Sequence, residues 1–362
     1  MKSCLRCWCE VNFSALNHNL KMIRQYIGAK TRIMGLVKAN GYGHGMIPLA
    51  KFLEKSDCQE LGCAHVHEGK VLREAGIQLP ILLLSGFLEE ELPEIIKNKL
   101  TLTLSSLEEL RMVEKAAQQL RLRALAQVKI DTGMGRLGAP PMEARRLIQK
   151  VLESKNMELR GIFTHYACAD CDGKFTQNQW KIFKQYRPRS FRFHSCNSAA
   201  IFALPQAHEH CVRPGLALYG LAPLPRLQKL LRPILSWKSK VTFIKTVPKN
   251  TPLSYGATYR TPRRMNIATV AAGYGDGIFC ALSNRGYVLI RGRRCKILGR
   301  VTMDQILVDV SHLRRVRRGD EVILLGKQGK KTLLASDMAR WAKTIPYEIL
   351  TSITERVPRL YC

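Results

Sequence analysis

The chain has 362 residues, 46% hydrophobic and 24% charged, a balance that excludes a disordered or fibrous protein and supplies a sizeable core. Single cores stop growing near ~250 residues, so two domains are expected. The net charge of +30 is shared unequally, with an excess of 19 positive charges over residues 226–362 against 11 over the first 225.

The start, Met1-Lys2-Ser3-Cys4-Leu5-Arg6-Cys7, has no apolar stretch of signal-peptide length, and no later window approaches ~18 uninterrupted apolar residues. A cytoplasmic protein without a membrane partner is expected. Cys4-x-x-Cys7-x-Cys9 and Cys168-x-x-Cys171 together hold five thiols, enough for the four thiolates of a zinc site. Neither lies in a short glycine-rich knuckle, and Cys7-Trp8-Cys9 reads as strand, so no metal site is expected. Cys63, Cys196, Cys211 and Cys295 sit in apolar runs and read as reduced core residues.

The first helix is predicted over Ser14 to Ile27, with Ser14 as N-cap and Leu16, Leu20, Ile23 and Ile27 on one face. The apolar run from Ile33 to Val37 predicts a buried strand that ends at Lys38, followed by Ala39-Asn40-Gly41-Tyr42-Gly43-His44-Gly45. A lysine at a strand end is placed to be partly desolvated and to attack a carbonyl, and the glycines let the backbone bend around a ligand. Seven more strand-like runs follow near 60–66, 80–85, 101–104, 124–131, 158–164, 190–195 and 212–220. Between them lie helical stretches such as Ser106 to Gln119, with Glu108 and Glu109 in its first turn.

Eight strands alternating with helices predict an α/β fold, an N-terminal (β/α)8 barrel over residues 1–232. Its strand ends carry Lys38, then Lys129 with Asp131 and Arg136, then His165, then Asn197 and Ser198, then Arg213 with Gly215. In such barrels chemistry gathers at that end, so one pocket is expected. After Ala222-Pro223-Leu224-Pro225 the runs become short and β-rich: Val241 to Val247, Ile267 to Ala272, Tyr287 to Ile290, Ile306 to Val310 and Glu321 to Leu325. With one helix from Ser336 to Thr344, they predict a smaller C-terminal all-β domain over 233–362. The basic run Arg314-Arg315-Val316-Arg317-Arg318 has no nucleic-acid motif or interleaved aromatics beside it, so a solvated face is expected rather than nucleic-acid binding.

Six segments taken together resemble bacterial alanine racemases over nearly the whole chain. They are the Lys38 motif, Lys129-Ile130-Asp131-Thr132-Gly133-Met134-Gly135-Arg136-Leu137-Gly138, Val212-Arg213-Pro214-Gly215-Leu216, Ser254-Tyr255-Gly256, Ala272-Gly273-Tyr274-Gly275-Asp276-Gly277 and Gly299-Arg300-Val301-Thr302-Met303-Asp304-Gln305. The resemblance implies a pyridoxal 5'-phosphate enzyme that interconverts L- and D-alanine and supplies D-alanine for peptidoglycan. Lys38 matches the lysine that carries the cofactor and acts as one catalytic base, and Tyr255 the base on the opposite face. Arg213 matches the arginine at the pyridine nitrogen, which restrains the ring as an electron sink. Tyr42, Asn197, Ser198, Gly215, Leu216 and Tyr347 match residues around the phosphate, and His165 the residue under the ring. Arg136, Met303, Asp304 and Tyr274 match the substrate side, with Lys129, often carbamylated in the family, orienting Arg136.

The resemblance also implies a head-to-tail homodimer in which Tyr255, Tyr274 and the Met303 loop come from the neighbouring subunit. Thr302 and Gly275 depart from the usual residues at their positions. A racemase acting on serine or on several amino acids, a fold-sharing decarboxylase, and a non-catalytic pyridoxal-phosphate-binding protein remain as alternatives. The decarboxylase would need an acidic partner where Arg213 stands, and the non-catalytic protein would lack the β domain that bears Tyr255.

Overall fold

The computed structural model describes residues 4–187 and 191–362, so the first position of the run expected at 190–195 and the start of the N-terminal segment lie outside the described residues. The chain forms two compact units. One comprises Leu16–Gly41 with Met46–Arg232, and the other Met1–Ala15, Tyr42–Gly45 and Pro233–Cys362.

The strands in chain order begin with β1, Cys7–Val11. Then come β2 Arg32–Leu36, β3 Glu60–Cys63, β4 Ile81–Leu83, β5 Thr101–Leu104, β6 Ala124–Lys129, β7 Met157–Phe163, β8 Arg192–His194 and β9 Cys211–Val212. Strands β2 to β9 pair in parallel, each with the next, and β9 returns to β2 through Arg32 with Cys211 and Ile33 with Val212, closing an eight-stranded barrel. Strands buried on both faces read as unbroken apolar runs, which is why Ile33, Met34, Leu61, Leu102 and Val128 show no alternation and are fully buried. The last strand is shorter than the expected 212–220. Pro214 has no N–H to give, and Arg213 N–H turns instead to Cys196 O.

The helix Leu107–Leu120 is capped by Ser106, whose hydroxyl accepts from Glu109 N–H at 3.1 Å. The first helix runs Phe13–Ile27, and its N-cap is not Ser14. Asn12 precedes it, with Oδ1 accepting from Ala15 N–H at 2.8 Å, because a cap must stand before the first helical residue.

The second unit is built on β10 Leu235–Val247, β11 Pro252–Leu253, β12 Tyr259–Arg260, β13 Met265–Val270, β14 Tyr287–Ile290, β15 Arg293–Leu298, β16 Ile306–Asp309, β17 Glu321–Gln328, β18 Lys331–Leu333 and β19 Arg359–Tyr361. Its large sheet runs β18-β17-β14-β15-β16-β13-β10-β1-β19, and β10 also pairs with β17. These pairings run in a ring of six antiparallel strands, which removes exposed edges. Strand β10 reaches both neighbours because it is 13 residues long: Trp237 to Lys240 face β17, and Val241 to Val247 face β13. β1 joins the same sheet, antiparallel to β10 and parallel to β19. Two short helices, Ala335–Ala342 and Pro346–Thr351, complete the unit, and the second bears Tyr347.

Candidate active site

Lys38 stands just past the end of β2, half-buried. The backbone then makes a left-handed turn through Ala39 (φ 51°), Asn40 (φ 51°) and Gly41 (φ 62°). That conformation costs a non-glycine residue about 1–2 kcal/mol, so surrounding bonds must hold it. Glu68 is the main clamp: one oxygen accepts from Ala39 N–H and the other from Ala64 N–H, both at 2.6 Å, tying the ends of β2 and β3 together. Asn40 Oδ1 accepts from Met46 N–H at 2.8 Å, and a side chain at Gly41 would meet Leu49 at 2.5 Å. Burial, and then the Arg136 guanidinium, lower the Lys38 ammonium below the usual lysine range, with Glu68 opposing.

Lys129 ends β6 and is 3% exposed. Burial first, then Arg136 and Arg213, push its ammonium down to about 8, against the pull of Asp131. The loop that follows is held from within. The Asp131 carboxylate accepts from the N–H groups of Gly133, Met134 and Gly135, and the loop closes through Ala139 N–H to Lys129 O and Asp131 N–H to Ala139 O. Gly138 (φ 131°) allows the closure, since a Cβ there would lie 2.7 Å from Asp131 N. Arg136 is therefore presented, exposed, from a fixed loop.

Arg213 is 1% exposed. Its Nη2 donates to Thr164 O at 2.7 Å and Ser195 O at 2.9 Å and lies 3.4 Å from His165 Nδ1, while Nη1 lies 2.6 Å from His194 Nδ1. Burial lowers its guanidinium to about 10, still charged at neutral pH. His194 Nε2 is 2.7 Å from Gln127 Oε1, an acceptor, so His194 must carry its proton on Nε2 and accept from Arg213 on Nδ1. Burial and Arg213 keep both His194 and His165 well below the usual histidine range, hence neutral.

Asn197 Oδ1 accepts from Ala200 N–H, and its amide donates to Tyr166 O. The Ser198 hydroxyl oxygen accepts from Gly215 N–H at 2.9 Å and Ala217 N–H at 3.2 Å, which draws the loop bearing Gly215 and Leu216 to the end of β8 and leaves the hydroxyl proton to give. Lys38, Lys129, Arg136, His165 and Arg213 thus appear together: Lys38 feels the charge of Arg136, Lys129 that of Arg136, Arg213 and Lys38, and His165 that of all four. A cluster so positive fits a ligand that carries several negative groups.

In the sheet unit, Tyr42 is buried with its ring 5.9 Å from that of Tyr347, and burial and Tyr347 raise its phenol. Tyr255 projects from a tight turn, 71% exposed, between Ser254 (φ 63°) and Gly256 (φ 70°), where the Ser254 hydroxyl donates to Arg300 O at 2.6 Å. Tyr274 N–H donates to Thr302 O and Gly275 N–H to Met303 O. Arg356 then bridges Asp304 at 2.5 Å and Asp276 at 3.2 Å. Tyr274, Met303 and Asp304 therefore form one braced loop pair.

Glu68, Gln127, Gln179 and His194 were missed in the sequence. Only Gln127 and His194 carry a signal, a polar residue inside an apolar strand: Gln127 in β6 and His194 in β8 are fully enclosed, which only mutual hydrogen bonding permits.

The family model described as "Alanine racemase, N-terminal domain" matches residues 11–223, and "Alanine racemase, C-terminal domain" matches 234–361. The alanine racemase of Halothermothrix orenii is 41% identical over 98% of this chain and 96% of its own length, and that of Methylacidiphilum infernorum 39% over 98% and 92%. Among solved structures, alanine racemase from Clostridium difficile 630 superposes with a TM-score of 0.93 at 37% identity, covering 99% of this chain and 96% of its own. That from Bacillus anthracis with bound L-Ala-P gives 0.91 at 34%, covering 99% and 95%. The chain belongs to the alanine racemase family.

Proposed function

We propose that this chain interconverts L-alanine and D-alanine with pyridoxal 5'-phosphate, Lys38 and Tyr255 serving as the two bases, and so supplies D-alanine for peptidoglycan. The observation that carries this reading is the gathering of two depressed lysines and two arginines at one end of the barrel. The donor set fits the cofactor. A carbonyl needs an amine that sheds its proton easily, which Lys38 is. A phosphate needs N–H and hydroxyl donors, and Ser198 with the Gly215 loop offers them. A ring nitrogen that is to stay unprotonated needs a partner that only donates, and Arg213 keeps part of its five N–H set unengaged by the described residues.

When bound, pyridoxal phosphate supplies the electron sink that makes a proton at the substrate Cα acidic. Lys38, as the neutral amine, takes or returns that proton on one side. Tyr255 gives or takes one on the other, because a single base would tend to return the proton to the face it left. His165, held neutral by burial and Arg213, adds no charge of its own beneath the reacting centre. Arg136 and the loop of Met303 and Asp304 receive the substrate carboxylate, and Tyr274 stands beside that loop. The L-Ala-P bound in the Bacillus anthracis structure supports alanine as the amino acid received.

The exposure of Tyr255, Tyr274 and Met303 in the single chain supports a homodimer in which the sheet unit of one copy completes the site of the other. Among the described residues no helix is long and apolar enough to cross a membrane, and we read the enzyme as cytoplasmic. Incubating purified protein with L-alanine, L-serine and L-lysine and separating the products by chiral chromatography tests the reading. D-alanine formed fastest supports it, whereas faster conversion of serine or lysine, or release of an amine by decarboxylation, replaces it.

A further inference from the structure

The turn between β7 and the helix Gly173–Phe183 holds two thiols that the reaction does not use. Cys171 N–H donates to Cys168 O at 3.1 Å, and Asp172 N–H donates to the same oxygen at 2.8 Å. A turn closed in this way keeps its end Cα atoms within about 7 Å, close to the reach of a disulfide. The Cys171 thiol faces Cys168, and the neighbouring thiol and the Asp170 carboxylate raise its pKa. Cys171 is exposed and Cys168 half-buried, whereas Cys63, Cys196 and Cys211 are enclosed. Among the described residues no group of three or more His, Cys, Asp or Glu is arranged to hold a metal ion, which leaves the pair to thiol chemistry.

The turn is tied at both ends to one helix. Gln179 accepts from Ala167 N–H at 3.0 Å and donates to His165 O at 3.2 Å, and Asp172 caps the same helix by accepting from Phe175 N–H at 2.9 Å. Closing the sulfurs from contact to the ~2.05 Å of a bond leaves the slack to be taken up between these ties, next to His165.

We propose that Cys168 and Cys171 form a reversible intramolecular disulfide that tightens the loop behind His165 and lowers racemase activity. The oxidant is a low-molecular-weight disulfide. One cysteine thiolate attacks it and releases one small thiol, and the second thiolate attacks the mixed disulfide and releases the other. Two S–H bonds are lost from the protein and two are gained by the small thiols, so the two electrons pass to the small disulfide. Because the Cys171 thiol is raised, exchange accelerates as pH rises.

The activity arm rests on the racemase reading, and the chemical arm does not. The holoenzyme is equilibrated at graded ratios of oxidised to reduced glutathione, its remaining thiols are blocked, and peptides are mapped by mass spectrometry while turnover is measured on the same samples. The expected result is a Cys168–Cys171 cross-link with a single midpoint, reversed by dithiothreitol, together with a fall in turnover of about threefold or more. Both effects should vanish in Cys171→Ser, whose activity in reductant matches the parent. Separate glutathione adducts on the two cysteines, unmodified thiols at the most oxidising ratio, or a cross-link without a fall in turnover would overturn the proposal. A protein inactive even when fully reduced contradicts the racemase reading instead, and the mapped cross-link alone then decides the thiol pair.

Discussion

The two proposed bases stand in different surroundings. Lys38 and Lys129 lose their protons easily because burial and neighbouring guanidinium groups both disfavour the ammonium. Tyr255, by contrast, stands 71% exposed on the single chain. Tyr255→Phe is expected to retain cofactor and to slow racemisation by about 10²-fold or more, while Cα hydrogen exchange in deuterated water persists for one enantiomer only. Unchanged rates in both directions would remove it from the mechanism. Lys129 sits among Arg136, Arg213 and Lys38 with a pKa of about 8, so about a tenth of it is the neutral amine at pH 7 and about half at pH 8. That fraction can add carbon dioxide, and the resulting carbamate turns repulsion by three cations into attraction. Mass spectrometry under bicarbonate should find the Lys129 adduct increasing from pH 7 to 8.5. The unfolded chain keeps this proton to ~10.4 and so binds more protons than the folded one above about 8. The Lys129 contribution to stability therefore rises with pH from about 8 up to that value.

Among the elements, the left-handed turn after Lys38 and the His194 relay hold the chemistry in place. Glu68→Ala leaves the Ala39 and Ala64 N–H groups without their carboxylate and should cost about 1–3 kcal/mol. It should also lower the yield of cofactor trapped on Lys38 by borohydride, with Glu68→Gln partly restoring both. His194→Leu deprives the buried Arg213 of an acceptor and should lower the unfolding free energy obtained from urea titrations by about 3 kcal/mol, with turnover falling more than apparent alanine affinity. The eight barrel strands were legible because burial on both faces leaves continuous apolar runs. The first six residues of the sheet unit's main strand were less so. In β10 the buried Leu235, Trp237 and Ser239 alternate with Ser236, Lys238 and Lys240, and the lysines mask the strand before Val241. β15 escaped for the same reason, with Arg293, Arg294 and Lys296 around Cys295. The left-handed turn was invisible too, since Ala39 and Asn40 are held there by Glu68, distant in sequence. Lys38, Lys129, His165 and Arg213 could be found because each lies at the end of an apolar run, and Arg136 because it lies in the glycine-rich loop after Lys129, whereas a clamp such as Glu68 carries no local mark.

At the scale of the whole molecule, the two units divide the chemistry. Lys38 belongs to the barrel unit and Tyr255 to the sheet unit, and the proposed enzyme pairs the Lys38 of one copy with the Tyr255 of another. Two chains of +30 repel one another, so burial of local apolar surface must outweigh a repulsion that salt partly screens. Subunit mixing tests the central claim most directly. Lys38→Ala and Tyr255→Phe proteins, each nearly inactive, are unfolded together, refolded as a mixture and assayed with alanine. If sites are shared between copies, half the dimers are mixed and each has one intact site, so activity returns to about a quarter of the parent. A mixture no more active than its two components would show that both bases come from one chain, or that they do not act together, and would contradict the account.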